Sequence, residues 1–327
     1  MNFGLIGYGY WGPNLAKNLI ELKDERLIGI CEPNPSRMER AKLVYDGRVQ
    51  LFTDDYREIL AHPEVDAVVI ATPTEPSYHI AMDALAAGKP CFIEKPMAST
   101  VKRAENIRAL AKKKGLIVHC DHLMIYNPNI QYIKNMIESG ELGDLMYIDI
   151  SRINLGPIRK DVNAMLDLAV HDIAVIDYLS GGNEPVRLSA FGQKMYGNQE
   201  TITFLTLQYP TFMAHVKSSW VSPMKERRMM IAGSKKMVVF DDVKFAEKLT
   251  IYDHGFEIKT SDEYGTYEFE TRTGDIFIPN IRFEDSLRNS LMHFAQCVRQ
   301  RTPSLTGPEH SLRVMRILEK AMNHLRK

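Results

Sequence analysis

The glycine-rich stretch at residues 7–12, GYGYWG, constrains the fold of this chain more than any other feature. It follows an apolar run at residues 2–6 and precedes a helical pattern with Pro13 in its first turn. Strand, loop and helix in this order form the G-x-G-x-x-G fingerprint of dinucleotide binding. Gly7 would make the tight turn, Gly9 would let a pyrophosphate approach the backbone, and Gly12 would let the helix pack on the strand. The phosphates would lie at the helix N-terminus, where free N–H groups favour negative charge.

A second apolar strand, at residues 27–31, leads directly into an acidic residue. Glu32 lies twenty positions after Gly12, where a carboxylate that binds ribose hydroxyls is expected. Its charge would repel a 2′-phosphate, so the sequence favours NAD over NADP. Arg37 is near enough in the sequence to leave NADP open. We therefore predict a dinucleotide site that takes NAD.

Length and composition limit the class of protein. At 327 residues the chain suits two domains. Its 41 basic and 41 acidic residues cancel, so no overall field attracts nucleic acid or an anionic membrane. No apolar run reaches membrane-spanning length, and Met1 leads directly into a core strand without a signal peptide. These features predict a cytoplasmic protein, in which the scattered cysteines are buried, reduced thiols: Cys31, Cys91, Cys120 and Cys297.

The rhythm of strands and helices predicts two different sheets. Apolar strands at residues 2–6, 27–31, 49–52, 67–71, 91–93 and 116–119 alternate with helical patterns. This alternation predicts a doubly wound parallel sheet in a Rossmann domain at residues 1–120. Beyond it, strand-like runs at residues 145–154, 186–196, 201–209, 212–220, 228–232 and 237–240 are joined by short turns. They predict an α+β domain at residues 121–327 with a large, mostly antiparallel sheet. Its predicted helices are 127–139, 161–179, 286–300 and 309–326.

Residues 119–122, HCDH, invite a metal-site interpretation. Alternate residues of a strand face opposite sides, so the four side chains would not converge without a turn. No Cys/His cluster downstream completes a zinc site. We expect this segment to be the end of a strand at the active cleft, and we predict no metal.

Three motifs in a fixed order give the chain a family resemblance. The glycine-rich loop is followed by Glu94-Lys95-Pro96 and then by residues 167–171, DLAVH. With these motifs the chain resembles the Gfo/Idh/MocA oxidoreductases from Met1 to its last helix. The resemblance implies an N-terminal domain that holds NAD(P) and a second sheet that presents a sugar. It maps the E-K-P lysine to Lys95 and the D-x-x-x-H pair to Asp167 and His171, and it implies a cis peptide bond before Pro96.

A narrower resemblance concerns the substrate. Residues 7–14 and 152–161 look like those of family members found with nucleotide-sugar biosynthesis. Such members oxidise the 3-hydroxyl of a UDP-linked N-acetylamino sugar and give a ketone for a later aminotransferase. They tend to have Trp and Pro beside the catalytic pair, where this chain has Leu166 and Val170. The departure lies beside the catalytic pair and leaves the pair itself intact.

The candidate catalytic residues suit alcohol oxidation, in which a hydroxyl proton is removed as hydride leaves the carbon. His171 suits the proton because the ordinary pKa of histidine is near neutrality. Asp167, four residues earlier in a helical pattern, would share its face and orient the imidazole. The same spacing is also common in a surface pair. Lys95 would stabilise negative charge on the reacting oxygen, or would itself be the base if burial lowers its pKa.

Further residues are candidates for binding. For the cofactor these are Tyr8, Tyr10 and Trp11 in the glycine-rich loop, Thr72, Pro73 and Thr74 after a central strand, His79, and Glu94 beside Lys95. For the substrate they are Tyr126, Asn127, Arg152, Asn154, Arg159 and Lys160. A diphosphate calls for cationic donors, although Arg159 and Lys160 also fit an exposed loop.

The leading hypothesis is an NAD-dependent dehydrogenase of a nucleotide sugar, most closely UDP-N-acetylglucosamine at its 3-hydroxyl. A free-sugar or inositol dehydrogenase of the same family is the second enzyme hypothesis. A non-catalytic sensor of dinucleotide and sugar is the alternative from another class. The outer face of the second sheet predicts a homodimer or homotetramer, and the sequence leaves the choice open.

Overall fold

A computed structural model of the chain describes residues 1–160, 162–260 and 267–325. The chain divides into two compact units, Met1–Asn127 with Glu284–Arg316, and Pro128–Phe283 with Ile317–Lys327. The predicted boundary at residue 120 separates a cofactor-binding domain from a substrate-binding domain. That assignment of functions stays a prediction. The compact units differ from the predicted division in one respect: a late segment of the chain, residues 284–316, belongs to the first unit.

The first unit is built on a six-stranded parallel sheet. Its strands are β1 (Asn2–Ile6), β2 (Arg26–Cys31), β3 (Leu51–Thr53), β4 (Ala67–Ile70), β5 (Cys91–Ile93) and β6 (Val118–Cys120). The helices between them are α1 (Gly12–Glu21), α2 (Pro35–Tyr45), α3 (Tyr56–Ala61), α4 (Thr74–Ala86) and α5 (Val101–Lys114). The order is β3-β2-β1-β4-β5-β6, with every pairing parallel. This confirms the predicted doubly wound sheet, although β3 and β6 begin two residues later than predicted.

The second unit is built on an eight-stranded sheet. Its strands are β7 (Leu145–Leu155), β8 (Arg187–Gln193), β9 (Ile202–Gln208), β10 (Met213–Ser219), β11 (Val221–Gly233), β12 (Met237–Asp241), β13 (Leu249–Thr260) and β14 (Tyr267–Phe277). The order is β14-β13-β12-β11-β7-β10-β9-β8, and only β7 and β10 pair in parallel. The predicted antiparallel character is confirmed. Strands β13 and β14 were not predicted, because charged residues and glycine interrupt their apolar pattern and cross-strand pairing supplies the order.

The helical segment around the candidate catalytic pair differs from the prediction. Helix α6 (Pro128–Glu138) is as expected, but the predicted helix at residues 161–179 is wrong at its start. Helical backbone begins at Ala164 and continues as a π-helical turn, Met165–Ala169, before α7 (Val170–Leu179). Asp161 lies outside the described residues. A π-turn is wider than an α-turn. The prediction that Asp167 and His171 share one helix face assumed α-helical geometry and does not apply unchanged across this turn.

Both faces of the first sheet are buried, which explains its continuous apolar strands. In β4, Ala67 and Val69 belong to one core cluster, and Val68 and Ile70 belong to the other. The late helices α8 (Ser286–Gln300) and α9 (Pro308–Leu325) agree with the predicted ones. Helix α8 contributes Phe294 to the first cluster, where its ring lies 5.8 Å from that of Phe92. This packing is why residues 284–316 belong to the first unit.

Two whole-chain expectations can be compared with the structure. All four cysteines are free and buried, as predicted. In the part of the chain that the structure describes, no helix is long and apolar enough to cross a membrane.

Candidate active site

The glycine-rich loop has the geometry that a pyrophosphate requires. Gly7 has φ 100°, and a Cβ there would lie 2.5 Å from the Ala71 carbonyl oxygen. A Cβ on Gly12 would lie 2.7 Å from the Gly7 carbonyl oxygen, so this glycine permits the close approach of α1. Gly9 faces open space, where the nearest atom to an added Cβ is Arg37 Nη1 at 3.7 Å. The N-cap of α1 is Trp11, whose side chain has no acceptor for the first N–H groups. These features fit a dinucleotide phosphate at the helix N-terminus.

Glu32 is buried and holds the glycine-rich loop. It is 4% exposed, and its two carboxylate oxygens accept the backbone N–H groups of Tyr8 at 2.8 Å and Asn34 at 2.9 Å. Arg37 is exposed, and its Nη1 lies 3.9 Å from the carboxylate. A carboxylate has about four acceptor sites, so Glu32 retains capacity for ribose hydroxyls. The predicted ribose acid therefore also positions the phosphate loop.

The three aromatic residues of this loop have different environments. Tyr8 is buried, and its ring packs edge-on against Tyr45 at 6.3 Å. Tyr10 is 95% exposed and stacks on the half-buried Trp11 with ring centroids 6.4 Å apart. Only Tyr10 and Trp11 therefore present rings toward solvent beside the loop.

The segment after β4 carries four of the cofactor-binding candidates, and their contact with a cofactor stays a prediction. Thr72 is half-buried and its hydroxyl lies 2.8 Å from that of Ser77. Pro73 is exposed and caps α4, which begins at Thr74, three residues earlier than predicted. His79 is exposed on α4. These four candidates follow the carboxyl end of a parallel strand, where α/β sheets bind ligands.

The end of β5 carries the E-K-P motif, and a cis peptide bond joins Lys95 to Pro96, as predicted. Lys95 is half-buried. Burial raises the pKa of the Glu94 carboxyl well above its usual range, and the neighbouring Asp121 carboxylate raises it further, while the Lys95 charge opposes both effects. Glu94 is thus held in a site that favours its neutral form.

Asp121 was not among the predicted site residues. It follows β6 directly, and its N–H donates to the Ile93 carbonyl at 2.8 Å, so it lies beside the E-K-P segment. Its side chain is fully buried, and this burial raises its pKa to about 7. The signal in the sequence was an acid directly after a strand, next to the strand that carries Glu94.

The segment at residues 119–122 places its side chains in different contacts. His119 hydrogen-bonds Ser290 and Ser304, whereas the His122 ring packs edge-on against that of His310 at 5.1 Å. Burial lowers the pKa of both His119 and His122 well below its usual range. Among the described residues, no group of three His, Cys, Asp or Glu side chains is arranged to hold a metal.

In the second unit, Asp167 is held by two donors. Its Oδ2 accepts the indole N–H of Trp220 at 3.1 Å, and its Oδ1 lies 3.2 Å from Arg159 Nη1. His171 lies in the first turn of α7 and is half-buried. Orientation of His171 by Asp167 stays a prediction. Trp220 was missed because nothing in the local pattern links the end of β10 to the π-turn.

Arg152 forms a buried ion pair and lines the cavity described below. Its guanidinium is buried and donates to both carboxylate oxygens of Asp172 at 2.6–3.0 Å. The pair carries no net charge, and the predicted contact of Arg152 with a substrate diphosphate stays a prediction. The partner, Asp172, is twenty residues away on α7, so this ion pair is not visible from the local sequence.

A cavity of about 550 Å³ lies beside this pair, at the end of β7. Its lining includes Asn154, Arg159, Asp167 and Trp220, together with two cations that were not predicted, Lys225 and Arg227. Arg227 lies 3.7 Å from Asp242, whereas Lys225 forms no ion pair with any residue that the structure describes. The cavity lining therefore combines the Asp167 and Glu226 carboxylates with four cationic side chains, Arg152, Arg159, Lys225 and Arg227.

Three remaining candidates lie elsewhere. Tyr126 is 5% exposed, its ring stacks on His119, and its hydroxyl lies 3.0 Å from that of Thr306. The Tyr126 side chain thus packs in the core of the first unit, and its contact with substrate stays a prediction. Asn127 is half-buried at the end of a short 3₁₀ helix, Leu123–Tyr126, and Lys160 is exposed.

Known proteins resemble this chain over most of its length. The Gfo/Idh/MocA model of the oxidoreductase family with an NAD-binding Rossmann fold matches residues 1–122, and the GFO/IDH/MocA C-terminal domain matches residues 130–239. UDP-N-acetylglucosamine 3-dehydrogenase of Acidithiobacillus ferrooxidans is 29% identical over 78% of this chain and 78% of that protein. The NAD⁺-dependent scyllo-inositol 2-dehydrogenase of Bacillus subtilis is 23% identical over 92% of this chain and 87% of that protein. A crystal structure of the Acidithiobacillus enzyme has a TM-score of 0.82 over 99% of this chain and 97% of that one, at 23% identity, and shows the shared fold.

The parallel sheet, the glycine-rich loop and the matching family model define a dehydrogenase-type oxidoreductase with an NAD-binding Rossmann domain. With both family models matched in order, the chain belongs to the Gfo/Idh/MocA oxidoreductase family.

Proposed function

We propose that this protein catalyses NAD-dependent oxidation of a sugar secondary hydroxyl, at the 3-hydroxyl of UDP-N-acetylglucosamine or a closely related nucleotide sugar. The observation that carries the proposal is the cavity in the second unit, where Asp167 and Trp220 adjoin Arg159, Lys225 and Arg227. Cationic donors of this kind suit a diphosphate. The sugar 3-dehydrogenase among the relatives supports the same substrate class.

Residues of the first unit bind and orient the cofactor. Backbone N–H groups at the start of α1 take the pyrophosphate, and Glu32 accepts the ribose hydroxyls. Thr72, Thr74 and Glu94 contact the nicotinamide half. The chemistry that NAD supplies when bound is acceptance of hydride from the alcohol carbon.

Two residues handle the proton and the charge on the reacting oxygen. We assign His171 as the base that takes the hydroxyl proton, with Asp167 supporting the charged imidazole. Lys95 donates a hydrogen bond to the same oxygen and stabilises its negative charge. The reverse assignment, with Lys95 as the base, is separated from this one by comparing the two single variants.

A second enzymatic proposal is oxidation of a free sugar or an inositol. The NAD⁺-dependent scyllo-inositol 2-dehydrogenase among the relatives favours it. In that case Lys225 and Arg227 would have no phosphate to bind. A non-catalytic sensor is the remaining alternative, and a partner protein whose binding changes with NAD would support it.

We also propose self-association through the outer face of the second sheet. In β8 and β9, Phe191 pairs with Phe204, and in β10 and β7, Met213 pairs with Tyr147. All four side chains are exposed and lie on one face. A second copy of this face would cover them, as homodimer or homotetramer. Sedimentation velocity tests this, and a monomer at micromolar concentration would reject it.

The deciding experiment measures NADH formation by the purified protein with NAD and a panel of UDP-sugars, free sugars and inositols. A ketone trap or a coupled aminotransferase is included, because alcohol oxidation by NAD is uphill near neutral pH. Signal confined to UDP-N-acetylamino sugars supports the first proposal. Signal only with free sugars or inositols supports the second. NAD binding without turnover on any compound rejects both and leaves the sensor.

A further inference from the structure

Four side chains of the first unit form a continuous hydrogen-bonded path. The Ser290 hydroxyl donates to Asp121 Oδ1 at 2.7 Å, and Ser290 Oγ lies 2.9 Å from His119 Nε2. On the other side of the ring, His119 Nδ1 lies 2.9 Å from Ser304 Oγ. Each link is within hydrogen-bonding distance, and hydroxyl and imidazole groups both donate and accept. The path can therefore pass a proton in either direction.

One end of the path lies beside the E-K-P segment. Asp121 follows β6 next to Glu94, and the Lys95 charge acts on both carboxyls. The structure leaves Asp121 Oδ2 and Glu94 Oε1 buried without a hydrogen-bond partner among the residues it describes. Two buried carboxyls whose charges act on each other favour binding of a proton by one of them.

The other end of the path reaches the surface. Ser304 is half-buried and lines a cavity of about 350 Å³ between α5 and the start of α9. The exposed side chains of Lys112, Leu305 and Glu309 line the same cavity. Solvent in this cavity can exchange protons with the Ser304 hydroxyl.

Between its two ends the path is closed to solvent. Asp121, Ser290 and His119 are all fully buried. The His119 ring stacks between Phe92, at 4.6 Å, and Tyr126, at 5.5 Å. Aromatic walls of this kind exclude water, so a proton has to move through the side chains themselves.

We propose that Asp121, Ser290, His119 and Ser304 form a proton relay between Lys95 and the cavity beneath α5 and α9. The proposal rests on the dehydrogenase function, in which Lys95 is the electrostatic partner of His171. It gives Lys95 a second role, the exchange of protons with solvent. Each oxidised alcohol releases one proton, and a site closed around its substrates needs an exit for it.

The relay balances with one proton in and one out. Lys95 Nζ gives a proton to the Glu94–Asp121 carboxyl pair and regains one from the oxidised alcohol, whose proton His171 first removes. Asp121 then gives a proton to Ser290 Oγ as the Ser290 hydroxyl proton moves to His119 Nε2. The Nδ1 proton of His119 passes to Ser304, and the Ser304 hydroxyl proton passes to water. His119 thereby changes from its Nδ1–H to its Nε2–H tautomer. The proton on Nε2 then returns to Nδ1 through the hydroxyls of Thr306, Tyr126 and Ser304, and with reprotonation of Asp121 this restores the first state.

The neighbouring titratable groups are few and identifiable. Besides Glu94 and Lys95, the carboxyl of Asp121 faces Asp285, at the start of α8. His119 faces His293 on α8 and His310 on α9. The Thr306 hydroxyl, 3.3 Å from His119 Nε2, offers a branch of the path.

The first test is independent of any substrate. Nitrogen NMR of His119 in the cofactor-free protein should report the Nδ1–H tautomer when Asp121 is protonated and the Nε2–H tautomer when Asp121 is ionised. The change should follow one titration near neutral pH and should be lost in both Asp121→Asn and Ser290→Ala. A tautomer that stays constant in the wild type, or that changes alike in all three proteins, overturns the relay.

The second test uses turnover. Ser290→Ala should lower kcat by up to about 10²-fold, the lower end of the usual acid–base contribution, and should leave the KM for NAD unchanged. Ser290→Thr should retain the wild-type rate because the hydroxyl is kept. Ser286→Ala, on the same helix, is the matched control.

The two tests separate failure of the relay from failure of the proposed function. A wild type that oxidises no sugar rejects the function, and the NMR result still decides whether protons move along the path. An active wild type whose Ser290→Ala variant is unchanged, or whose Ser290→Thr variant is slowed as much as Ser290→Ala, rejects the relay alone.

Discussion

The backbone N–H of Tyr8 donates a 2.8 Å hydrogen bond to the buried Glu32 carboxylate, so the acid expected to bind the ribose also fixes the phosphate loop. Glu32→Gln would keep one acceptor and place an amide N–H₂ against a second backbone donor. Hydrogen bonds to a charged group contribute about 1.5–3 kcal/mol, so the KM for NAD should rise by about 10–100-fold.

The same variant should narrow the preference for NAD over NADP, because the charge that repels a 2′-phosphate is removed while Arg37 remains. The ratio of kcat/KM for the two cofactors is the measurement, with Glu39→Gln on the exposed face of α2 as control. An equal fall in kcat/KM with NAD and with NADP would show that Glu32 holds the loop without selecting the ribose.

His171→Asn should lower kcat by about 10²–10⁴-fold, because a general base contributes that range. NAD affinity, measured by fluorescence titration, should stay at the wild-type value. His324→Asn, near the exposed end of α9, is the control for loss of an imidazole. Unchanged turnover would remove His171 from the mechanism and transfer the base role to Lys95.

Lys225→Ala should raise the KM for a UDP-sugar by about 10–100-fold, since a charge-assisted hydrogen bond to phosphate contributes about 1.5–3 kcal/mol. It should leave kcat nearly unchanged and should have no effect on any free sugar. Steady-state kinetics with both kinds of substrate measure this, and Lys244→Ala, in an exposed turn, is the control. An equal effect on free and nucleotide-linked sugars would contradict a diphosphate contact.

The features that the sequence predicted well are local ones. Strand alternation, the glycine-rich loop and Glu32 each depend on residues near one another, so periodicity and spacing reveal them. The Arg152–Asp172 pair could not be found this way, because it depends on how α7 packs on β7. The π-turn was invisible for a related reason: its hydrogen-bond pattern depends on tertiary packing and not on local propensity.

In the candidate site, too, local features could be predicted from the sequence, whereas contacts between distant residues could not. Asp167 and His171 are recognisable as a spaced pair, whereas the Trp220 indole that holds Asp167 lies 53 residues away. Asp121 and Ser290 are 169 residues apart and meet only because α8 packs against the first sheet. Sequence reasoning identifies single chemical groups, and the fold decides which of them meet.

Trp220→Phe tests the contact between the indole and Asp167. The ring keeps most of its packing, but the 3.1 Å hydrogen bond to Asp167 Oδ2 is lost. A single hydrogen bond contributes about 0.5–1.5 kcal/mol, so kcat should fall by about 2–10-fold with little change in NAD affinity. The double variant Trp220→Phe/Asp167→Asn should have a kcat close to that of Asp167→Asn alone, because both substitutions act on the same contact. Fully additive effects on kcat would show that Trp220 acts independently of Asp167.

Asp121→Asn should change how stability depends on pH. The ordinary pKa of aspartate is about 3.9, and burial raises the pKa of Asp121 to about 7 in the folded protein. Between these values the folded state binds more protons than the unfolded state, so the Asp121 contribution to stability falls as pH rises through this window. Below this window the Asp121 carboxyl is protonated in both the folded and unfolded states and costs no stability. Above the window it is ionised in both states, and its full destabilising effect is present.

The asparagine variant has no carboxyl to ionise, and its amide oxygen still accepts the Ser290 hydrogen bond. Its urea midpoint relative to wild type should therefore rise between about pH 4 and pH 7 and level off above that. Asp54→Asn, at an exposed carboxylate, should show a constant difference over the same range. A flat difference for Asp121→Asn would mean that the Asp121 carboxyl titrates alike in the folded and unfolded chains, because solvent or Lys95 compensates its burial.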